Sequence, residues 1–243
     1  LMLFYFYYFE IIKMEGIHIC TEMLPENETI PGADSSSASR AAFVTQKLWP
    51  VGYTIKIGFL NDGSKLQRKS LAYIQSKGVP YDPLEKVVQN MSVVDAVKTI
   101  INERFAKFLG LKFEFISDWK KADIRIRFQP KQSNSYIGTD SKYYMSRHSM
   151  NFGWFDVGTV LHEFGHALGM IHEHQNPFGD PIRWNEEYIY EWAKRTQGWS
   201  REVTKRNIMG RYKKDMTNGS NYDPQSVMLY FFPPEFTLNR KGT

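Results

Sequence analysis

His162-Glu163-Phe164-Gly165-His166-Ala167-Leu168-Gly169-Met170-Ile171-His172 is the stretch on which the reading of this chain turns. On a helix, His162 and His166 stand one turn apart on the same face, so two imidazoles can grip one metal ion. Glu163 lies between them, next to the side on which such a metal keeps an open position. Gly169 tolerates positive φ and can turn the chain sharply out of the helix. That turn returns His172 as a third ligand. Three histidines with one position left open is the layout of a catalytic zinc site, not a closed structural one. Paired histidines on a helix also occur as solvated or packed residues. The glycine and the third histidine at these offsets favour a zinc hydrolase.

Downstream lies Tyr222-Asp223-Pro224-Gln225-Ser226-Val227-Met228-Leu229-Tyr230. Taken alone, Met228 and Tyr230 read as core residues of an apolar strand. Together with the helix motif, the segment resembles the Met-turn of the metzincins, and more closely that of the astacins, whose turn reads like S-I-M-H-Y. The resemblance runs from about Ala41 to Tyr230 and is strongest at these two motifs. It implies an α+β zincin-like fold: a twisted, mostly parallel sheet and two long helices in an upper lobe, and an irregular lower lobe beyond Gly169. It also implies a zinc-dependent endopeptidase acting on protein or peptide substrates. Zn2+ would be held by His162, His166 and His172, with Glu163 as general base. Met228 would form the hydrophobic floor under the metal. Tyr230 would ligate the metal and swing out to stabilise the tetrahedral intermediate.

The bulk of the chain suits that reading. Its 243 residues allow one domain or two small lobes with a sizeable core, and 15% are aromatic. A single cysteine, Cys20, rules out an intrachain disulfide. Astacins usually carry disulfides in the catalytic domain, so the chain resembles a disulfide-free variant, and the redox compartment stays open. The net charge is +5, but residues 1–40 hold six acidic and two basic residues, a net of −4, which leaves +9 on the remainder. An acidic leader on a basic body suits a segment that covers its own domain. No basic run is interleaved with aromatics, so nucleic acid is not an expected partner.

The chain opens on Leu1-Met2-Leu3-Phe4-Tyr5-Phe6-Tyr7-Tyr8-Phe9, followed by Ile11 and Ile12. This run is shorter than the ~20 residues a membrane span needs. It reads either as the remnant of a signal sequence, although a basic start and a small-residue cleavage site are missing, or as a poorly defined translation start. Residues 13–40 are polar, with Pro25, Pro31, Gly32 and Ser35–Ser37 arguing for a linker. Arg40-Ala41-Ala42-Phe43 followed by Leu48-Trp49 resembles the start of mature astacins. By that resemblance residues 1–40 are a leader or propeptide, and 41–243 the catalytic domain. Cleavage after Arg40 would free the ammonium of Ala41 to approach Glu173. The propeptide would act as the enzyme's own inhibitor, and a secreted, extracellular enzyme is expected. The thiolate of Cys20 could fill the open metal position and keep the zymogen latent. Asp34 or Glu22 are alternatives, since typical astacins use an aspartate.

Along the body, Tyr53–Phe59 alternates as a strand, and Asn61-Asp62-Gly63 marks a turn. Residues 61–90 are broken by Pro80 and Pro83 and do not assign to elements. Ser92 with Asp95 makes a capping-box-like helix start. Val94, Val97, Ile101, Phe105 and Phe108 then form one apolar stripe, and Gly110 ends it. Leu111–Ile116 and Ala122–Phe128 read as strands, with Arg125 and Arg127 on the face opposite Ile124, Ile126 and Phe128. Ser135-Tyr136-Ile137-Gly138 resembles the astacin segment at the upper edge of the cleft, an exposed edge strand able to bind an extended substrate. Met150–Trp154 would be the next strand, and Asp156 or Thr159 would cap the metal-binding helix. Asn185–Gln197 reads as a helix capped by Asn185 and ended by Gly198. His18, His148 and His174 are not expected to ligate metal. The family usually continues with a further helix, so a truncated C-terminus is expected here. Two rival readings remain: a metzincin of another family with a narrow protein target, and a catalytically silent zinc-containing binding module. The intact Glu163 argues against the second.

Overall fold

The computed structural model describes residues 21–23, 42–76, 81–107, 111–143, 145–219 and 221–243. In chain order the strands are β1 (Thr21–Met23), β2 (Phe43–Val44), β3 (Thr54–Phe59), β4 (Lys112–Phe115), β5 (Ile124–Phe128), β6 (Asn134–Tyr136), β7 (Met150–Phe152) and β8 (Thr217–Asn218). The helices are α1 (Leu71–Ser76), α2 (Leu84–Val88), α3 (Val93–Ile101), α4 (Val157–Ala167), α5 (Glu186–Gln197) and α6 (Arg201–Thr204). The chain forms two compact units, one around Lys47–Met170 and one around Ile171–Thr243.

The first unit carries a six-stranded sheet in the order β1-β6-β7-β5-β3-β4. Its pairings are parallel except β6 with β7, which matches the expected mostly parallel α+β sheet. In β3 the alternation works as read: Ile55 and Ile57 are buried while Lys56 is exposed. In the central strand β5 both faces are covered, so Arg125 is buried as completely as Ile124 and Ile126. That burial is tolerable because the guanidinium donates to four main-chain oxygens: Arg147 at 2.6 Å, Ala122 at 3.0 Å, Asp123 at 3.1 Å and Ser141 at 2.5 Å.

Helix α3 starts as its sequence dictates, with Ser92 Oγ accepting from the Asp95 amide at 3.1 Å. Its buried stripe is Val93, Ala96, Val97, Ile100 and Ile101, continued by Phe105. Val97, Ile101 and Phe105 of the expected stripe are buried, Val94 is only half-buried, and Val93, Ala96 and Ile100 widen the buried face. Phe108 and Gly110 lie outside the described residues. Phe164 of α4 packs against Phe105 and Phe113, with ring centroids 4.9 and 5.5 Å apart. These contacts tie the metal-binding helix to the helical turn that continues α3 and to β4. Residues 61–90 prove to contain α1 and α2, short helices that the intervening prolines hide from periodicity.

Ser135–Gly138, expected as a substrate-binding edge, falls on β6 and the residues just after it. Strand β6 is flanked on both sides: β7 pairs antiparallel, and β1 pairs parallel, with Glu22 opposite Ser135 and Met23 opposite Tyr136. Ser135, Tyr136, Ile137 and Gly138 are all buried. Strand β1 supplies the partner that β6 would otherwise lack on that side. Gly138 has φ +53°, and a Cβ there would sit 1.8 Å from the Lys47 carbonyl oxygen. Glycine is therefore required where this segment meets Lys47.

In the second unit, β2 and β8 pair antiparallel. Helix α5 ends at Gly198 in the left-handed conformation, as its sequence implies. Asn185 does stand at the N-cap, but its side chain donates to the Glu235 carbonyl instead of capping.

Candidate metal centre

Helix α4 is fixed at both ends by named partners. At its start Asp156 is extended, and its Oδ1 accepts from the Thr159 amide at 2.7 Å. Asp156 is therefore the cap, and Thr159 the residue it caps. Glu85 Oε1 accepts from the Val157 amide at 2.7 Å, a second carboxyl at the same helix N-terminus. Lys69 pairs with Asp156 at 2.6 Å, and that charge holds the Asp156 carboxyl below its ordinary range against the effect of burial. At the other end Gly169 has φ +106°. The Gly169 amide bonds the His166 oxygen at 2.8 Å and the Met170 amide the Gly165 oxygen at 3.0 Å, closing the helix as the sequence requires. The Trp49 indole donates to the Ala167 oxygen at 2.8 Å.

His162, His166 and His172 are all buried, and each offers a ring nitrogen within 4.8 Å of the others. Nδ1 of His166 lies 2.8 Å from the Met170 oxygen. A carbonyl only accepts, so Nδ1 carries the proton and Nε2 keeps its lone pair for a metal. Three buried imidazoles are a donor set that zinc accepts, and they fit the ion that the motif implies. Glu163 is 0% exposed, on the same helix between the first two histidines.

Around His172 the second unit supplies aromatic and polar support. The Tyr230 ring stands 4.3 Å from the His172 ring. The buried His174 ring stacks on His172 at 5.3 Å, and Phe232 stands edge-on to His174 at 4.9 Å. Met228 is buried, and its carbonyl accepts from the Glu173 amide at 2.9 Å. Glu173 Oε1 accepts from Asn176 Nδ2 at 2.8 Å and from the Asp223 amide at 3.0 Å. Burial pushes the Glu173 carboxyl up from its ordinary value, and those hydrogen bonds oppose the rise. The turn carrying Met228 and Tyr230 is thereby pinned to the residue that follows the third histidine.

A family model described as Astacin, a peptidase family, matches residues 73–241. The chain belongs to the astacin family. Among curated proteins, "Astacin-like metalloprotease toxin 4" of Loxosceles laeta is 32% identical over 91 residues, which is 34% of this chain and 63% of the toxin. The match therefore spans less than two thirds of that relative. Among solved structures, one of myroilysin is 30% identical, covers 83% of this chain and 89% of that one, and gives a TM-score of 0.64. A second myroilysin structure is 27% identical over 92% of this chain and 91% of that one, with a TM-score of 0.50.

Most of the astacin-like residues read from sequence are thus assembled. The histidine triad is together, Tyr230 is against His172, and Met228 is joined to Glu173. Cys20, Ala41, Arg40, Asp34 and His18 lie outside the described residues. His148 is half-buried, and burial with Arg127, Arg147 and Arg125 nearby depresses its pKa to about 4. Two residues of the site were not legible. Glu85 sits in the unassigned 61–90 stretch, and Gln175 lies 3.1 Å from His172 with no motif to mark it. Among the described residues, no helix is long and apolar enough to cross a membrane.

Proposed function

We propose that this chain is a zinc-dependent endopeptidase that hydrolyses peptide bonds of protein substrates and is made as a zymogen. The observation that carries the reading is the buried histidine triad with Glu163 beside it on α4. His162, His166 and His172 would hold the ion. Bound there, zinc supplies Lewis acidity and brings the pKa of water near 7. Glu163 takes the proton of the attacking water as general base and returns it to the leaving amine. Tyr230, held against His172, donates its phenol to the oxygen that gains charge in the transition state. Met228 and Glu173 keep the Tyr230 turn in register with His172.

Residues 1–40 are read as the propeptide. The pairing of β1 with β6 supports this, because it occupies the backbone edge that an extended substrate would use. Cys20 directly precedes that strand in sequence and is the proposed latency ligand. After cleavage at Arg40, the ammonium of Ala41 would pair with Glu173. The Ile171 amide already holds the Ala42 oxygen at 3.0 Å, and Glu173 Oε2 has no hydrogen-bond partner among the described residues. A relative named a toxin supports an extracellular setting.

The test is peptide-library cleavage by the zinc-loaded chain, before and after brief trypsin treatment, with Glu163→Ala alongside. Cleavage that appears only after a cut at Arg40 and is absent in the variant supports both protease and zymogen. Activity in the uncut chain removes the latency of the leader. A zinc-loaded Glu163→Ala as active as the parent removes the role of Glu163.

A further inference from the structure

We propose that Gln175 is a positioning residue that locks His172 in its metal-binding tautomer by bridging the ring to the turn at Arg206–Gly210. This rests on the reading of His172 as a zinc ligand.

Gln175 is 0% exposed, so each polar atom of its amide needs a partner inside the protein. Nε2 lies 2.9 Å from the Arg206 oxygen and 3.0 Å from the Gly210 oxygen. Two carbonyls can only accept, so the amide nitrogen has to face them. The amide oxygen then faces His172, with Oε1 3.1 Å from Nδ1. Oε1 also can only accept, so the proton of the neutral ring sits on Nδ1. Nε2 of His172 is then the nitrogen that keeps its lone pair, as a metal ligand must. The main chain holds Gln175 as firmly: its amide donates to the His172 oxygen at 3.0 Å, and its oxygen accepts from Tyr212 at 3.2 Å.

The ligands are thus oriented by different means. His166 uses a main-chain oxygen created by the Gly169 turn, whereas His172 uses a side chain that depends on two carbonyls from another segment. Glutamine is the side chain that suits this place. It accepts with one end and donates twice with the other. A glutamate would accept from Nδ1 but would face the Arg206 and Gly210 oxygens with no proton to give.

The experiment uses the full chain and reads zinc affinity by chelator competition. Gln175→Met keeps the length and bulk of the side chain and removes the amide. It is compared with the parent, with His172→Ala, and with the double variant. Loss of a hydrogen-bonding partner behind a metal-bound histidine typically weakens metal binding about 10–100-fold. That loss is expected for Gln175→Met in the parent and should nearly vanish in the His172→Ala background. Unchanged affinity, or an equal loss in both backgrounds, overturns the proposal, because a merely structural role would act regardless of His172. If His172→Ala itself binds zinc as tightly as the parent, the reading of the metal site fails and takes this inference with it. Imidazole nitrogen NMR of the metal-free parent gives a check that needs no variant to fold: His172 protonated at Nδ1 supports the proposal, and protonation at Nε2 overturns it.

Discussion

The main-chain oxygen of Met170 lies 2.8 Å from Nδ1 of His166, four residues earlier in the chain. It reaches that point because Gly169 takes φ +106° and reverses the backbone at the end of α4. A residue with a Cβ pays about 1–2 kcal/mol to hold a left-handed conformation. Gly169→Ala should therefore lower stability by roughly that amount, and it should also weaken zinc binding by shifting the oxygen that orients His166. Melting of the metal-free protein and chelator competition would measure the two effects. A variant unchanged in both would show that the turn does not depend on glycine.

Tyr230 stands 4.3 Å from His172 ring to ring, and its body is buried. Tyr230→Phe keeps that packing and deletes only the hydroxyl. If the phenol donates to the developing oxyanion, kcat/KM should fall about 10²–10³-fold, the usual cost of one such donor. Zinc content and melting temperature should barely move. Steady-state kinetics on one peptide substrate, with zinc analysis beside them, would decide this. A rate within a few-fold of the parent would reduce Tyr230 to a packing residue.

What was legible in the sequence was what short-range rules govern. The helix over the first two histidines, the cap at Ser92, the strand from Thr54 and the glycine stops at Gly169 and Gly198 all follow from spacing within a few residues. What was hidden depended on distant partners. Nothing near Ser135 announces that Glu22 will lie opposite it, since that pairing joins segments far apart in the chain. Arg125 alternates with isoleucines as a solvent-facing residue would, and two of the acceptors that make its burial tolerable lie on the distant 141–147 segment. Asn185 has the side chain of a cap, but the Glu235 carbonyl competes for it. Gln175 and Glu85 belong to no motif, because the Arg206 and Gly210 oxygens and the Val157 amide that hold them are main-chain groups, which leave no trace in residue identity.

Lys47 and Asp140 form an ion pair at 2.5 Å, with side-chain exposures of 9% and 6%. It anchors the Gly138–Lys142 segment that directly follows β6. Removing one partner of a buried pair deprives the other of that counter-charge and typically costs about 3–5 kcal/mol. Asp140→Ala should be destabilised by that order, measured from urea midpoints at constant m. The paired change Lys47→Met with Asp140→Leu should recover much of the loss, because it removes both charges. If the double variant is no better than the single one, the cost lies in packing and not in the loss of the ion pair.

Glu85 gives the stability a pH dependence whose sign can be worked out. Burial raises its carboxyl from 4.5 to about 7, helped by the charges of Asp156 and Asp82 and opposed by the Val157 amide and Lys69. Folding therefore takes up a proton at this group between those two values. Its contribution to stability is fully present below about 4.5, falls as the pH rises toward 7, and is constant above. Glu85→Gln keeps an oxygen for the Val157 amide and removes the titration. Relative to the parent, it should gain stability steadily from pH 5 to pH 7 and then hold that gain at pH 8. Urea midpoints of the two proteins at pH 5, 6, 7 and 8 would measure the difference. Because other groups titrate identically in both, a difference independent of pH would mean that Glu85 is ionised throughout, with Lys69 and the start of α4 stabilising its charge.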